Sequence, residues 1–306
     1  MKLPNFFIVG APKCGTTALY EYLRVHPQVY MRVKEPHYFA FDLPGYRNVS
    51  DWDEYQALFR DAPASALAVG DISVYYLYSN VAIARLYQKF PSARILVLLR
   101  NPFDLAVSMH AQALRSRNES VTSFAKAWAL CGDRRAGQGI PRSCTDVATL
   151  YYDRIPLLGS QLQRVFDTCP RQQVRWWFYE DFATDPRHVY LEMLAFLGLD
   201  DDGRTEFPRH NPRRRARSQI VAQFTQKTPE LVTWAVRQFK RATGIKQLGI
   251  IDALQRANWV PAGKAQLPPE LLDDMRAVFE PDIHLLESLT GRNLDHWLHD
   301  MASDAH

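Results

Sequence analysis

The stretch Phe6-Phe7-Ile8-Val9-Gly10-Ala11-Pro12-Lys13-Cys14-Gly15-Thr16-Thr17 limits this chain to very few folds. Four apolar residues run into a loop bounded by Gly10 and Gly15. The loop opens onto Thr16-Thr17-Ala18-Leu19-Tyr20-Glu21-Tyr22-Leu23, whose apolar residues recur at helical spacing. Strand, glycine loop and helix together hold an anion: loop amides and the helix N-terminus point at it, and a Lys adds a full charge. A Walker A loop reads G-x-x-x-x-G-K-[ST]. Here the glycine separation is kept, but Thr16 stands where the Lys should be and Lys13 sits inside the loop. The expectation is a phosphate-like ligand at a site unlike a simple ATP site.

The 306 residues are long enough to bury a substantial core. Apolar residues make up 47% and charged residues 23%, the balance of a globular protein. The net charge of +4 (37 basic against 33 acidic) is too mild to imply nucleic acid, though it suits an anionic cosubstrate. No run of about 18 apolar residues occurs, so no membrane span is expected. Pro4, Asn5 and Lys13 leave too short an apolar run for a signal peptide. Cys14, Cys131, Cys144 and Cys169 are spread out, with no metal-ligand spacing. Free thiols in a cytoplasmic protein are expected, with a Cys131–Cys144 bridge as the alternative.

Residues 93–99 and 174–179 are further apolar runs of the kind a strand covered on both faces requires, and residues 66–69 form a short one. Helical patterns over 81–90, 150–166 and 190–197 separate or follow them. This alternation predicts an α/β fold: a P-loop-like, three-layer arrangement with a central parallel sheet flanked by helices. The C-terminal third reads as mostly helical (219–241 and 268–289) after a polar, basic, loop-like stretch at 203–218. With no repeats or low-complexity linker, residues 1–306 are expected to be a single domain.

After the run at 93–99 comes Arg100-Asn101-Pro102, with Ser108 eight residues beyond Arg100. In a P-loop NTPase a central strand typically ends in an Asp that helps hold Mg²⁺. An Arg there would instead meet an anion through its fork of donors, and Ser108 could add a hydroxyl. Alone, Arg100 could equally be a surface residue in a β–α turn. Lys34-Glu35-Pro36-His37-Tyr38-Phe39 puts a carboxylate and an imidazole two residues apart, and either could accept a proton. The competing reading has Glu35 solvated and His37 packed on Tyr38 and Phe39. Arg213-Arg214-Arg215-Ala216-Arg217-Ser218 is either a solvated basic surface or a clamp for a second phosphate.

Taken together, these segments resemble the nucleotide-dependent sulfotransferases, similar to the heparan-sulfate-type and carbohydrate branch, over roughly residues 5–298. The resemblance implies 3′-phosphoadenosine 5′-phosphosulfate (PAPS) as sulfuryl donor, PAP as product, and no required metal. Lys13, Cys14, Gly15, Thr16 and Thr17 resemble the 5′-phosphosulfate loop; Arg100 and Ser108 resemble the 3′-phosphate motif. Lys34 to Phe39 resembles the segment carrying the catalytic Glu. Asn211 to Ser218 resembles a C-terminal loop in which an Arg-Ser pair, here Arg217 and Ser218, closes over the nucleotide. One position departs. Where the carbohydrate branch has an acidic residue, Lys, then Thr or Ser, this chain has Asp71-Ile72-Ser73, so a role for that Lys does not carry over.

The implied chemistry is in-line attack of an acceptor hydroxyl on sulfur. Glu35 is the first choice of base, His37 the second and His110 the third, and Lys13 stabilises the leaving phosphate. The acceptor could be a small molecule, a lipid or a saccharide. The rival functions are a small-molecule P-loop kinase and a non-catalytic nucleotide- or polyanion-binding module.

Overall fold

A computed structural model describes residues 2–208, 214–216, 259–261 and 267–299. The chain divides into two compact units: Met1–Pro208 with Gln266–His306, and Arg209–Ala265. The first unit contains a five-stranded sheet built from β1 (Phe6–Gly10), β2 (Val29–Tyr30), β3 (Ala68–Ile72), β4 (Arg94–Leu99) and β5 (Val174–Phe178). Every pairing is parallel, in the order β2-β3-β1-β4-β5. In the second unit, β6 (Arg214–Ala216) pairs antiparallel with β7 (Trp259–Pro261). Part of the basic stretch expected as loop is therefore strand. Arg217, Ser218 and the expected helix at 219–241 lie outside the described residues.

The central strands are buried along their whole length: every residue of β1 and β3, and all of β4 but Arg94. Helices flank the sheet; those before residue 208 are α1 (Thr16–Leu23), α2 (Trp52–Ala57), α3 (Ala82–Lys89), α4 (Pro102–Ser116), α5 (Phe124–Ala129), α6 (Cys131–Arg135), α7 (Leu158–Thr168), α8 (Tyr179–Thr184) and α9 (Pro186–Leu197). After residue 266 come α10 (Pro269–Thr290) and α11 (His296–His299). The expected α/β architecture is borne out, including helices at the C-terminal end. Among the described residues, no helix is long and apolar enough to cross a membrane, and all four thiols are free.

Three boundaries differ from expectation. The helix read over 190–197 begins already at Pro186, where Asp185 caps it by accepting from the His188 amide at 2.9 Å. The helix read over 150–166 begins only at Leu158, because Val147–Leu150 is a 3₁₀ turn and Pro156 follows it. No local side chain caps α7; Asp282 of α10 accepts from the amides of Gly159 (2.7 Å) and Ser160 (2.8 Å) instead. The short strand read at 66–69 lies at Ala68–Ile72, and so takes in Gly70 and Asp71.

Asp71 is buried, and its carboxylate accepts from Ser73 (2.7 Å), Tyr55 (2.8 Å) and Tyr76 (2.9 Å). Burial pushes its pKa up to about 6, against the pull of those hydroxyls. With the folded value above the unfolded one, its contribution to stability declines as pH rises from about 4 to about 6. Asp71→Ala strands three buried hydroxyls. It is expected to lower stability by about 3 kcal/mol or more in urea unfolding, with Asp71→Asn milder.

Candidate active site

β1 ends where its neighbours on either side, β3 and β4, are entered in sequence from opposite directions. This is the switch point at which open parallel sheets bind ligands beyond their strand ends. Gly10 has φ +150, and a Cβ there would lie 2.7 Å from the Val74 carbonyl oxygen, so no other residue fits without rearrangement. At Gly15 (φ +81) a side chain would press on the Phe182 ring at 3.0 Å. From Gly15 the chain enters α1 with no side-chain cap, leaving the amides of the first turn to face the loop.

Four cations gather at this end of the sheet. Lys13 Nζ lies 3.4 Å from Gln112 Oε1, and the same oxygen accepts from Arg115. Arg100, immediately after β4, donates to the Lys13 carbonyl at 2.5 Å and lies over the Tyr179 ring at 4.6 Å. It lies 3.5 Å from Asp104, and its buried Nε has no partner. Lys34 donates to Thr17 Oγ1 at 2.8 Å and pairs with Glu35 at 2.8 Å. Burial, then the charges of Arg115, Arg100 and Lys34, push the Lys13 pKa down to about 8. Like charges crowded around a partly buried lysine are chemically suited to an anion.

α4 delivers part of this cluster. Asn101 caps it by accepting from the Phe103 amide at 3.0 Å, and Pro102 opens its first turn. Asp104, Ser108 and Gln112 then recur every four residues along one half-buried face, with Arg115 three further on. Ser108 thus lies between the residue that meets Arg100 and the one that meets Lys13. His110 is buried on another face, where Nε2 meets the Val121 carbonyl at 2.8 Å and the ring packs on Phe124 and Tyr152.

Glu35 lies at the edge of the cluster, with its amide donating to the Ile72 carbonyl at 2.8 Å and its carbonyl accepting from Asn48 at 2.7 Å. Its φ is +63. Lys34 bridges in parallel to Ile72, the last residue of β3. Successive side chains in extended backbone face opposite ways; the left-handed turn at Glu35 brings its carboxylate round to Lys34.

His37 is fully buried and held from two sides: its amide donates to Ser73 Oγ at 3.0 Å, and its Nε2 accepts from the Tyr75 amide at 3.4 Å. Burial lowers its pKa to about 4, so the ring is neutral. Ser73 in turn donates to Asp71, which ties the Glu35-Pro36-His37 backbone to β3.

Among described residues other than Gly, Lys13, Glu35, His37 and Arg117 have φ in the left-handed region. Three of the four are residues the sequence singled out, and unfavourable backbone of this sort persists where surrounding structure enforces it, often at functional sites. Thr16 is buried at the start of α1, and Thr17 faces Lys34. The Cys14 thiol is buried, donates to the Pro12 carbonyl at 3.4 Å, and is pushed up to about 12 by burial, so any role toward an anion falls to its main chain. Lys34, Gln112 and Tyr179 were not among the expected site residues. The four-residue spacing from Ser108 could have indicated Gln112; no pattern marks Tyr179.

A parallel sheet whose first strand runs through a glycine loop into an uncapped helix, with a lysine in the loop and an arginine at a neighbouring strand end, defines an α/β protein of the P-loop type. Residues 3–283 match the profile of the sulfotransferase domain, and the chain belongs to that family. A sulfotransferase from Alicyclobacillus acidocaldarius superposes with a TM-score of 0.68 at 29% identity, covering 97% of this chain and 99% of that one. Human heparan sulfate glucosamine 3-O-sulfotransferase 3B1 is 32% identical over 65% of this chain and 47% of its own length. Human carbohydrate sulfotransferase 15 is 29% identical over 40% of this chain and 29% of its own. The chain thus spans under half the length of these two curated relatives.

Proposed function

We propose that this protein transfers a sulfuryl group from PAPS to a saccharide hydroxyl. The observation that carries the reading is the convergence of Lys34, Arg100 and Arg115 on Lys13, in the loop that leads into the uncapped start of α1. Family membership supports the reaction class, and the glycan-acting relatives support the acceptor class. Residues 1–306 are read as one sulfotransferase domain, since the family match runs through both compact units. The free thiols favour a reducing, cytoplasmic setting.

The donor's two anionic ends fit the donor groups present. The loop amides, Lys13, Thr16 and Thr17 would take the 5′-phosphosulfate. Arg100, whose buried Nε is unpartnered, and Ser108 would take the 3′-phosphate. Arg217 and Ser218 are assigned to the nucleotide by resemblance alone. Arg100 occupies the position of a metal-binding Asp and pairs with the nearby Asp104, a donor set that disfavours an ATP–Mg²⁺ kinase.

In the reaction the acceptor oxygen attacks sulfur, the bond from sulfur to the bridging oxygen breaks, and that oxygen leaves as the 5′-phosphate of PAP. The acceptor's proton passes to the Glu35 carboxylate. Negative charge grows on the leaving oxygen, where Lys13 and the amides stabilise it. His37, neutral and enclosed, positions the Glu35 backbone.

Radiolabelled PAPS offered with glycans, phenols and lipid alcohols is expected to label glycans. Labelling of phenols or lipids alone overturns the acceptor assignment, and failure to bind PAPS or PAP overturns the whole reading. The pH dependence of PAP binding is a sharper check. An anion restores the proton that burial and then neighbouring like charge drive from Lys13, so binding should take up a proton and weaken as pH rises through about 8. Calorimetry in buffers of different ionisation enthalpy should show little uptake at pH ~7 and nearly one proton at pH ~9.

A further inference from the structure

We infer that Lys34 is a catalytic residue that leaves the Glu35 carboxylate for a sulfuryl oxygen of the bound donor, so that donor binding frees the base. This rests on the sulfuryl-transfer reading above. The Lys34 ammonium stands 2.8 Å from both Thr17 Oγ1 in the first turn of α1 and Glu35 Oε1 at the proposed base. One cation therefore bridges the two halves of the reaction. The bridge is built into the backbone: Lys34 pairs with Ile72, the Glu35 amide and carbonyl are both held, and the left-handed turn at Glu35 sets the carboxylate beside the ammonium. Both side chains keep access to the site, at 28% and 31% exposure.

An ammonium has three donors, and these two contacts use two of them. Its charge reaches Lys13, whose pKa is lowered partly by Lys34, so the two cations share one anion site. The ammonium engages the Glu35 oxygen that an acceptor hydroxyl would otherwise meet. Without donor, the pair keeps Glu35 occupied. With donor, the sulfuryl oxygens compete for the ammonium, and the carboxylate becomes available while the electrophile is in place.

The test compares PAPS with PAP, with no acceptor present. Both carry about the same charge at the 5′ end, so loss of a distant positive charge weakens both alike. A contact to the sulfuryl group weakens PAPS alone. In calorimetry, Lys34→Met is expected to weaken PAPS by about tenfold or more, the worth of a charge-assisted hydrogen bond, and to leave PAP within about twofold. Lys34→Arg should recover part of the loss. Glu35→Gln, which releases the ammonium in advance, should tighten PAPS and leave PAP unchanged. Equal weakening of both ligands by Lys34→Met, or no weakening of either, overturns the inference. Retained PAP binding shows that the variant is folded. If the unaltered protein binds neither ligand, it is the donor assignment that fails.

Discussion

Glu35→Gln is expected to lower kcat by about 10²- to 10⁴-fold while PAP still binds, the range expected when a general base is lost. The substitution keeps the shape of the side chain and leaves the backbone bonds to Ile72 and Asn48 in place. It removes only the capacity to take a proton. The two histidines that could substitute are poorly placed. His37 is fully enclosed, its Nε2 is occupied by the Tyr75 amide, and burial holds its pKa near 4. His110 faces Val121 and two aromatic rings on another face of α4. If Glu35→Gln retains kcat while His37→Asn at equal stability loses it, the base has been misassigned. The expected result for His37→Asn is instead a loss of stability, because its ring and amide brace the segment that carries Glu35.

The contrast between Arg100 and Lys34 shows what the sequence could reveal. A strand buried on both faces announces itself as a continuous apolar run, and the first charged residue after it marks the ligand end of the sheet. Arg100 is legible for that reason. Lys34 is not: extended backbone predicts that it and Glu35 face opposite ways, and only φ +63 at Glu35 brings them together. Conformation at one residue, held by Ile72 and Asn48 far along the chain or across a loop, decides how Glu35 meets Lys34.

The same distinction governs the elements. β1 and β4 were readable from local sequence. In β3, Gly70 leaves room for the Phe6 ring, which would stand 2.2 Å from a Cβ there, and Asp71 is tolerated because three hydroxyls satisfy it. Both break the apolar run for reasons that lie on other elements. The start of α7 depends on Asp282, more than a hundred residues downstream, and no local pattern carries that information.

Lys13→Ala is expected to reduce kcat/KM by about 10²- to 10³-fold, the usual loss when one donor to a developing oxyanion is removed. It is also expected to make the ligand-free protein more stable, and the second effect distinguishes this lysine from a structural one. With its pKa pushed from 10.5 to about 8, charged Lys13 is disfavoured in the fold at neutral pH by an amount on the order of 3 kcal/mol. The sign follows from linkage. Below about pH 8 both folded and unfolded chains carry the proton and the full penalty applies; between about 8 and 10.5 the folded chain sheds it first and the penalty fades. Removing the ammonium also relieves Arg100, Arg115 and Lys34 of a like charge. Arg100 keeps its bond to the residue 13 carbonyl, because that partner is backbone. Urea unfolding without ligand at pH ~7 should therefore show Lys13→Ala more stable than the unaltered protein by about 1–3 kcal/mol, a gain that shrinks toward pH ~10. Saturating PAP should reverse the order, since it stabilises only the protein that binds it well. Loss of stability together with loss of activity would mean that Lys13 holds the loop rather than the donor. Stability gained as activity is lost is the result expected of a charge kept in place for an anion.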